Sequence, residues 1–210
     1  MRKIALLAVS ALVVALGISG VASAIQGGQG ISINLKSNKA GTAKKPRDVG
    51  RLTVVTTLTL AEDEAGTFAT RTATISLDKN LVFNPGKFKT CTQRQVLRNP
   101  AKCPRGSKIG SGSATAFFSG QTLSLSVTPY NGPKGTLSLL VRGQGGISIN
   151  NVLAGKLRNA GGGYGKKLVV TIPSNLQAPT GPPSYATLTK FTARIGGVSK
   201  GVPYVGLKER

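Results

Sequence analysis

The sequence contains no histidine and no tryptophan, and it has only two cysteines, six phenylalanines and four tyrosines. Without histidine, a Ser-His or Cys-His nucleophile is excluded, and two cysteines alone do not complete the four ligands of a structural zinc site. The scarcity of aromatic residues, with no RNP-like or helix-turn-helix pattern, disfavours specific nucleic-acid recognition. We therefore predict a protein that uses no metal ion and no cofactor.

Carboxylates are also scarce, because six acidic residues stand against 28 lysines and arginines. They are Asp48, Glu62, Asp63, Glu64, Asp78 and Glu209. Glycoside hydrolysis needs two carboxylates on either side of a cleft, and Glu62 or Glu64 with Asp78 would be the candidates. Three of the acids are consecutive, however, which is more typical of a solvated turn.

A G-x-S-x-G sequence at 197–201 matches the nucleophile elbow of serine hydrolases. That elbow needs a strand-turn-helix context and a histidine partner, and the sequence indicates neither. We predict that the protein is not an enzyme and has no catalytic residues. The alternative is a hydrolase in which Ser199 or Glu64 meets a lysine or a second acid in three dimensions.

The N-terminus has the parts of a secretory signal peptide. A basic start precedes an apolar run at 4–18, and an A-x-A sequence follows at 22–24. The run is shorter than the roughly 20 residues that span a bilayer. We predict a cleaved signal peptide at 1–24 and one secreted domain at 25–210 without a transmembrane segment. The mature domain would either be released or be held at the cell wall by surface contacts alone.

Two cysteines in an exported chain are most simply a structural disulfide, and we predict the pair Cys91–Cys103. The C-x11-C spacing closes a loop whose cross-link stabilises by about 3 kcal/mol in chain-entropy terms. This spacing does not fit the C-x-x-C pattern of redox pairs. Inside the loop, the sequence TQRQVLR predicts two helical turns, with Thr92 as N-cap and with Val96 and Leu97 packing inward.

Most of the remaining chain alternates apolar and polar residues with period two, between turns rich in glycine and proline. The predicted strand segments are 30–35, 52–60, 68–77, 108–118, 121–130, 135–143, 146–157, 168–173 and 185–197. We predict an all-β fold, an antiparallel β-sandwich of Greek-key type with one short helix inside the disulfide-closed loop. A barrel is the second choice.

Two details of this strand pattern have consequences for the topology. The segments 52–60 and 68–77 follow each other closely, and we expect them to pair as a hairpin. The sequence GQGISIN at 28–34 nearly recurs as GQGGISIN at 143–150, either as a duplicated strand motif or by chance.

The net charge of +22 is concentrated in two segments. The first is a basic connection near 36–51, with Lys36, Lys39, Lys44, Lys45, Arg47 and Arg51. The second surrounds the disulfide and consists of Lys87, Lys89, Arg94, Arg98, Lys102, Arg105 and Lys108. The positive electrostatic potential of such clustered cations attracts polyanions. One interpretation is that the second group binds anionic cell-wall polymers of teichoic type or lipid head groups. The other, which the sequence alone favours, is a merely solvated surface.

The stretch FKTCTQRQVLRNPAKCPRGSKIGSGSATA at 88–116 follows the pattern C-x(n)-CP-x-x-S-x-[IV]-G-x-G-x-A. The matching residues are Cys91, Cys103, Pro104, Ser107, Ile109, Gly110, Gly112 and Ala114. The chain thereby resembles uncharacterised secreted proteins of high-GC Gram-positive bacteria. The resemblance implies export and a β-rich fold, and it implies no activity. Some members carry further cysteines near the C-terminus, which this chain lacks.

Within this stretch, Gly110 and Gly112 permit a close backbone approach, and Ser111 and Ser113 would then share one face. One interpretation is a ligand-facing strand beside the cationic loop. The other, which we favour, is a strand that passes close under the loop. The function predicted from the sequence is that of a non-enzymatic protein, secreted or associated with the cell envelope.

Overall fold

The computed structural model of the protein describes residues 28–37, 49–59, 69–144 and 148–207. The predicted signal peptide, the acidic turn around Glu62 to Glu64 and residues 38–48 of the basic connection lie outside these ranges. The predictions that concern them stay predictions.

Strands account for most of the described chain. They are β1 (Gln29–Ser37), β2 (Val49–Leu58), β3 (Thr72–Asp78), β4 (Leu81–Phe83), β5 (Gly110–Phe118), β6 (Gln121–Asn131), β7 (Thr136–Gln144), β8 (Asn150–Asn159), β9 (Tyr164–Thr171), β10 (Thr187–Gly196), β11 (Val198–Ser199), β12 (Val202–Pro203) and β13 (Val205–Leu207). The helical elements are α1 (Gln93–Arg98), α2 (Ser174–Gln177) and the 3-10 turns Pro85–Lys87, Pro100–Lys102 and Pro133–Gly135. No helix in the described part of the chain is long and apolar enough to cross a membrane.

Hydrogen bonds join nine strands into one antiparallel sheet in the order β1-β2-β10-β5-β6-β7-β8-β9-β3. Strands β5 to β9 form a meander, and β10 returns to lie between β2 and β5. The all-β antiparallel class and the helix inside the disulfide loop are confirmed. The two separate sheets of a Greek-key sandwich are not confirmed, because β10 hydrogen-bonds on both sides and makes the sheet continuous. The expected hairpin of β2 with β3 is wrong, since β3 pairs with β9.

The sheet curls around one apolar core. Leu52 of β2 and Ile75 of β3 belong to the same buried cluster, although these strands lie near opposite ends of the sheet order. Alternation sends every second side chain of a strand to one face, and the twist of a long sheet lets that face close on itself. The short strand β4 pairs with β13, and Leu81 of β4 and Val205 of β13 belong to the same core.

The predicted disulfide Cys91–Cys103 is confirmed, with a Cα–Cα distance of 5.5 Å. The loop that it closes packs on the outer side of the sheet. There Cys91 and Val96 share a small buried cluster with Tyr130 of β6 and Leu140 of β7. The loop therefore covers part of the sheet surface opposite to the main core.

Helix α1 begins as the sequence predicts. The side-chain oxygen of Thr92 accepts a hydrogen bond from the backbone N–H of Gln95, which confirms the N-cap. Val96 is fully buried, but Leu97 is 39% exposed, so the inward packing expected of Leu97 is wrong. The physical reason is helical geometry, because consecutive residues point about 100° apart and a short helix touches the sheet along one stripe.

The two copies of the GQGISIN sequence differ in structure where the structure describes them, since residues 145–147 of the second copy lie outside the described ranges. Residues 28–34 run into the middle of β1, whereas the copy at 143–150 starts at the end of β7 and ends where β8 begins. The copies do not occupy equivalent strand positions, which contradicts a duplicated strand motif.

Candidate functional site

The side of the sheet that faces away from the core carries mainly hydroxyl groups and cations across β1, β2, β10, β5 and β6. Residues directly opposite each other in an antiparallel pair have side chains on the same face. One such row runs through Ser32, Val55, Thr192, Ser113 and Ser126 to Arg142 of β7. Apart from Val55, every side chain of this row is polar.

Two further rows flank the first. One consists of Asn34, Thr53, Arg194 and Ser111, and the other consists of Thr57, Lys190, Thr115 and Ser124. We call the three rows together the polar face. Rows two residues apart along a strand are separated by about 6.8 Å. Hydroxyls and cations thus form a regular array on this part of the sheet.

The register of β5 confirms that Ser111 and Ser113 share one face, while Gly110 and Gly112 point to the other. A Cβ atom on Gly110 or Gly112 would collide with a backbone oxygen of β10. The close approach expected of these glycines is confirmed. The expected partner is wrong, because β10 makes the approach and not the disulfide loop.

An open depression of about 490 Å³ lies at the end of the polar face, between β2, β10 and β5. It is lined by Arg51, Lys108, Ile109, Gly110, Ser111, Arg194, Gly196 and Gly197. Gly196 lies directly opposite Arg51, and Arg194 lies directly opposite Ser111. Because Gly196 has no side chain, the space beside the two arginines stays open.

The cations of the depression have no acidic partner in the described ranges. Asp78 is the one carboxylate there, and its Oδ1 accepts the backbone N–H of Asn80 at 2.7 Å. Among the described residues, no hydrogen bond or ion pair engages the side chains of Arg51, Lys108 or Arg194. The two basic segments predicted from the sequence therefore meet in this depression, through Arg51 and Lys108.

The seven cations around the disulfide are all exposed. Arg94 and Arg98 lie one helical turn apart on α1. Lys108 forms an isolated bridge with Tyr130 of β6 and is the member of the group that lines the depression. For all seven, anion binding stays a prediction.

A buried amide holds the disulfide loop, and sequence reasoning missed it. The pair Asn131-Gly132 signals only a turn, but Asn131 is completely buried at the end of β6. Its Nδ2 donates to the carbonyls of Pro85 at 3.0 Å, Phe88 at 3.3 Å and Lys89 at 3.1 Å. Nothing local in the sequence distinguishes this residue from an ordinary turn asparagine.

The other polar atoms of Asn131 are also engaged. Its Oδ1 accepts the hydroxyl of Tyr204 at 3.2 Å, its N–H donates to the carbonyl of Ser107, and its carbonyl accepts the N–H of Cys91. Burial raises the pKa of the Tyr204 phenol well above its usual value. The phenol consequently stays protonated and remains a donor. These contacts attach both ends of the disulfide loop to β6.

Ser199 lies in a setting unlike a nucleophile elbow. It belongs to β11, which forms a short hairpin with β12, and its hydroxyl donates to the carbonyl of Lys87 at 2.8 Å. One S-x-x-K spacing runs from Ser76 on β3 to Lys79 in the next turn, without the helical turn that would bring such a pair together. No group of three potential metal ligands occurs among the described residues. Glu64 lies outside them, so a hydrolase that uses Glu64 stays a prediction.

Comparison with known proteins adds no assignment. No protein-family model matches the chain, and neither a curated protein nor a solved structure matches it.

Proposed function

We propose that the protein is secreted or held at the cell envelope and binds an anionic cell-wall polymer along its polar face, without catalysing a reaction. The polar face is the observation that carries this proposal, because each of its three aligned rows combines one cation with at least two hydroxyl side chains. Cations attract a polyanion over distance, and hydroxyls donate hydrogen bonds to its oxygens. The signal peptide predicted at 1–24 and the resemblance to secreted proteins support the location.

A polymer fits the polar face better than a lipid surface does. With strands about 4.8 Å apart, the row from β1 to β7 extends roughly 24 Å, which suits several repeats of an extended chain. Binding in a lipid interface depends on apolar side chains that insert between head groups. Within the three rows, the one apolar side chain is the half-buried Val55.

The test is retention of the mature chain on purified cell wall at increasing salt. We expect retention at low ionic strength and release as the Debye length falls to about 8 Å and below. We also expect little retention on wall stripped of its phosphate polymers, because the hydroxyls alone provide no long-range attraction.

Two charge-matched double variants locate the binding surface. Arg142→Gln/Lys190→Gln removes two cations from the polar face, and Lys156→Gln/Arg158→Gln removes two exposed cations from β8, outside the three rows. We expect the first pair to weaken retention about tenfold and the second to weaken it less than about twofold. No retention at low salt, equal losses in both pairs, or preference for anionic lipid vesicles over wall would contradict the proposal.

A further inference from the structure

We propose that the depression between β2, β10 and β5 is a binding site for a phosphate group. This inference rests on the proposed function, because it names the chemical group of the polymer and the place that holds it. The donors are Arg51, Arg194, Lys108 and Ser111, all of which line the depression.

The register brings these donors to one place. Ser111 lies directly opposite Arg194, so their Cβ atoms are about 5 Å apart. Arg51 pairs with Gly196, two residues beyond Arg194 on the same face, which makes the two arginines diagonal neighbours at about 7–8 Å. Guanidinium groups at this spacing can approach a single anion from two sides, because each side chain is longer than half the separation.

The backbone leaves room for such an anion. Gly196 places no side chain between Arg51 and β5, and the next residue, Gly197, has a φ of 123°. This conformation favours glycine. Gly196 and Gly197 both line the depression, so no side chain from these two positions occupies it.

The charge pattern is costly unless an anion is bound. Lys36 lies directly opposite Arg51, and like charges in that position destabilise a sheet. Arg194 and Lys108 add two more cations to the same end of the face, and the described residues contain no acid near them. A surface that serves solubility alone intersperses both signs of charge. A bound anion would relieve the repulsion and stabilise the folded state.

Phosphate matches this donor set better than a carboxylate does. A carboxylate presents two oxygens in one plane and is satisfied by a single guanidinium fork. The depression offers two guanidinium groups, an ammonium and a hydroxyl from three strands and a loop. A tetrahedral phosphate ester presents oxygens in several directions and can engage all four donors.

The experiment is a titration of the isotope-labelled mature chain with inorganic phosphate, followed by NMR. We expect saturable shifts of the Ser111, Gly196 and Gly197 amides and little response to acetate. Arg51→Gln/Arg194→Gln should weaken phosphate binding about tenfold or more, whereas Lys156→Gln/Arg158→Gln should change it less than about twofold. Thermal unfolding verifies that the first variant folds, and we expect it to lose the increase in Tm that phosphate produces in the wild type.

Shifts that spread over all cationic surfaces without saturating, or equal binding by both variants, would overturn the phosphate site.

Failure of this inference is distinguishable from failure of the proposed function. If wall retention survives Arg51→Gln/Arg194→Gln unchanged, the depression is not the site although the polymer binds. If phosphate saturates the depression but the wild type is not retained on wall, the site stands and the wall polymer is wrong. Competition by poly(glycerol phosphate) but not by phosphatidylglycerol vesicles would assign the phosphate to a polymer, and the reverse would assign it to a lipid.

Discussion

Asn131 illustrates what a single polar side chain does in this protein. A buried amide is costly unless its donors and acceptor are satisfied, and here three carbonyls of the segment before Cys91 and one phenol satisfy them. Tyr204 packs edge-on against Phe88, with ring centroids 5.0 Å apart. The same few residues therefore hold the start of the disulfide loop, the end of β6 and the C-terminal strands together.

Replacing Asn131 should be strongly destabilising. In Asn131→Ala the carbonyls and the Tyr204 hydroxyl lose their partner inside the fold, and we expect a loss of about 2–4 kcal/mol in the free energy of unfolding. Urea unfolding monitored by circular dichroism measures it. Asn175→Ala, at an exposed position of α2, is the matched control and should stay within about 0.5 kcal/mol of the wild type. Similar values for both variants would show that the buried contacts add nothing.

At the scale of elements, the position of β10 decides the architecture. It hydrogen-bonds to β2 on one side and to β5 on the other, and its backbone runs close to Gly110 and Gly112. The depression exists only because these three strands meet. The glycines of β5 are therefore explained by packing, whereas Ser111 and Ser113 belong to the polar face.

Gly112→Ala tests this close approach. The added methyl group would meet the backbone oxygen of Thr192, which cannot move aside like a flexible side chain, and we expect a destabilisation of about 1–3 kcal/mol. Gly161→Ala is the control, because nothing lies within 4 Å of its added Cβ. Chemical denaturation measures the stability of both variants. An unchanged midpoint for Gly112→Ala would contradict the tight β5–β10 contact.

At the scale of the whole molecule, two properties act on the chain as a unit. The net charge of +22 opposes compaction by self-repulsion. The disulfide opposes unfolding, because it restricts the unfolded chain more than the folded one. The stability of the folded state therefore depends on a destabilising charge repulsion and on two stabilising contributions, the disulfide and the apolar core.

Removal of the disulfide should lower the free energy of unfolding. We expect Cys91→Ala/Cys103→Ala to unfold about 3 kcal/mol more easily than the oxidised wild type. The repulsion is screened by salt, so part of the loss should be recovered at high ionic strength. Reduced wild type is the control for the side-chain replacements and should resemble the double variant. Equal free energies of unfolding for the oxidised protein and the variant would show that the disulfide does not stabilise the fold.

Local signals predicted a large part of the fold. The strand class, the disulfide and the Thr92 cap depend on neighbours in sequence, and all three are confirmed. The predicted burial of Leu97 is wrong. Whether a helical residue is buried depends on which side of the helix contacts the rest of the protein, and the sequence of the helix does not encode that. Arg194 was not among the predicted anion-binding residues, since it occupies an ordinary exposed position of a strand.

The sequence by itself determined the alternating strands, the pairing of its two cysteines and the concentration of positive charge, because each follows from composition or from contacts between near neighbours. Tertiary structure alone decided which strands pair, as the partners of β2 and β3 demonstrate. It also decided that Arg51, Lys108 and Arg194 line one depression, although they are distant in the chain. The physical reason is that strand pairing depends on burying one shared apolar face, and that choice involves every strand at once.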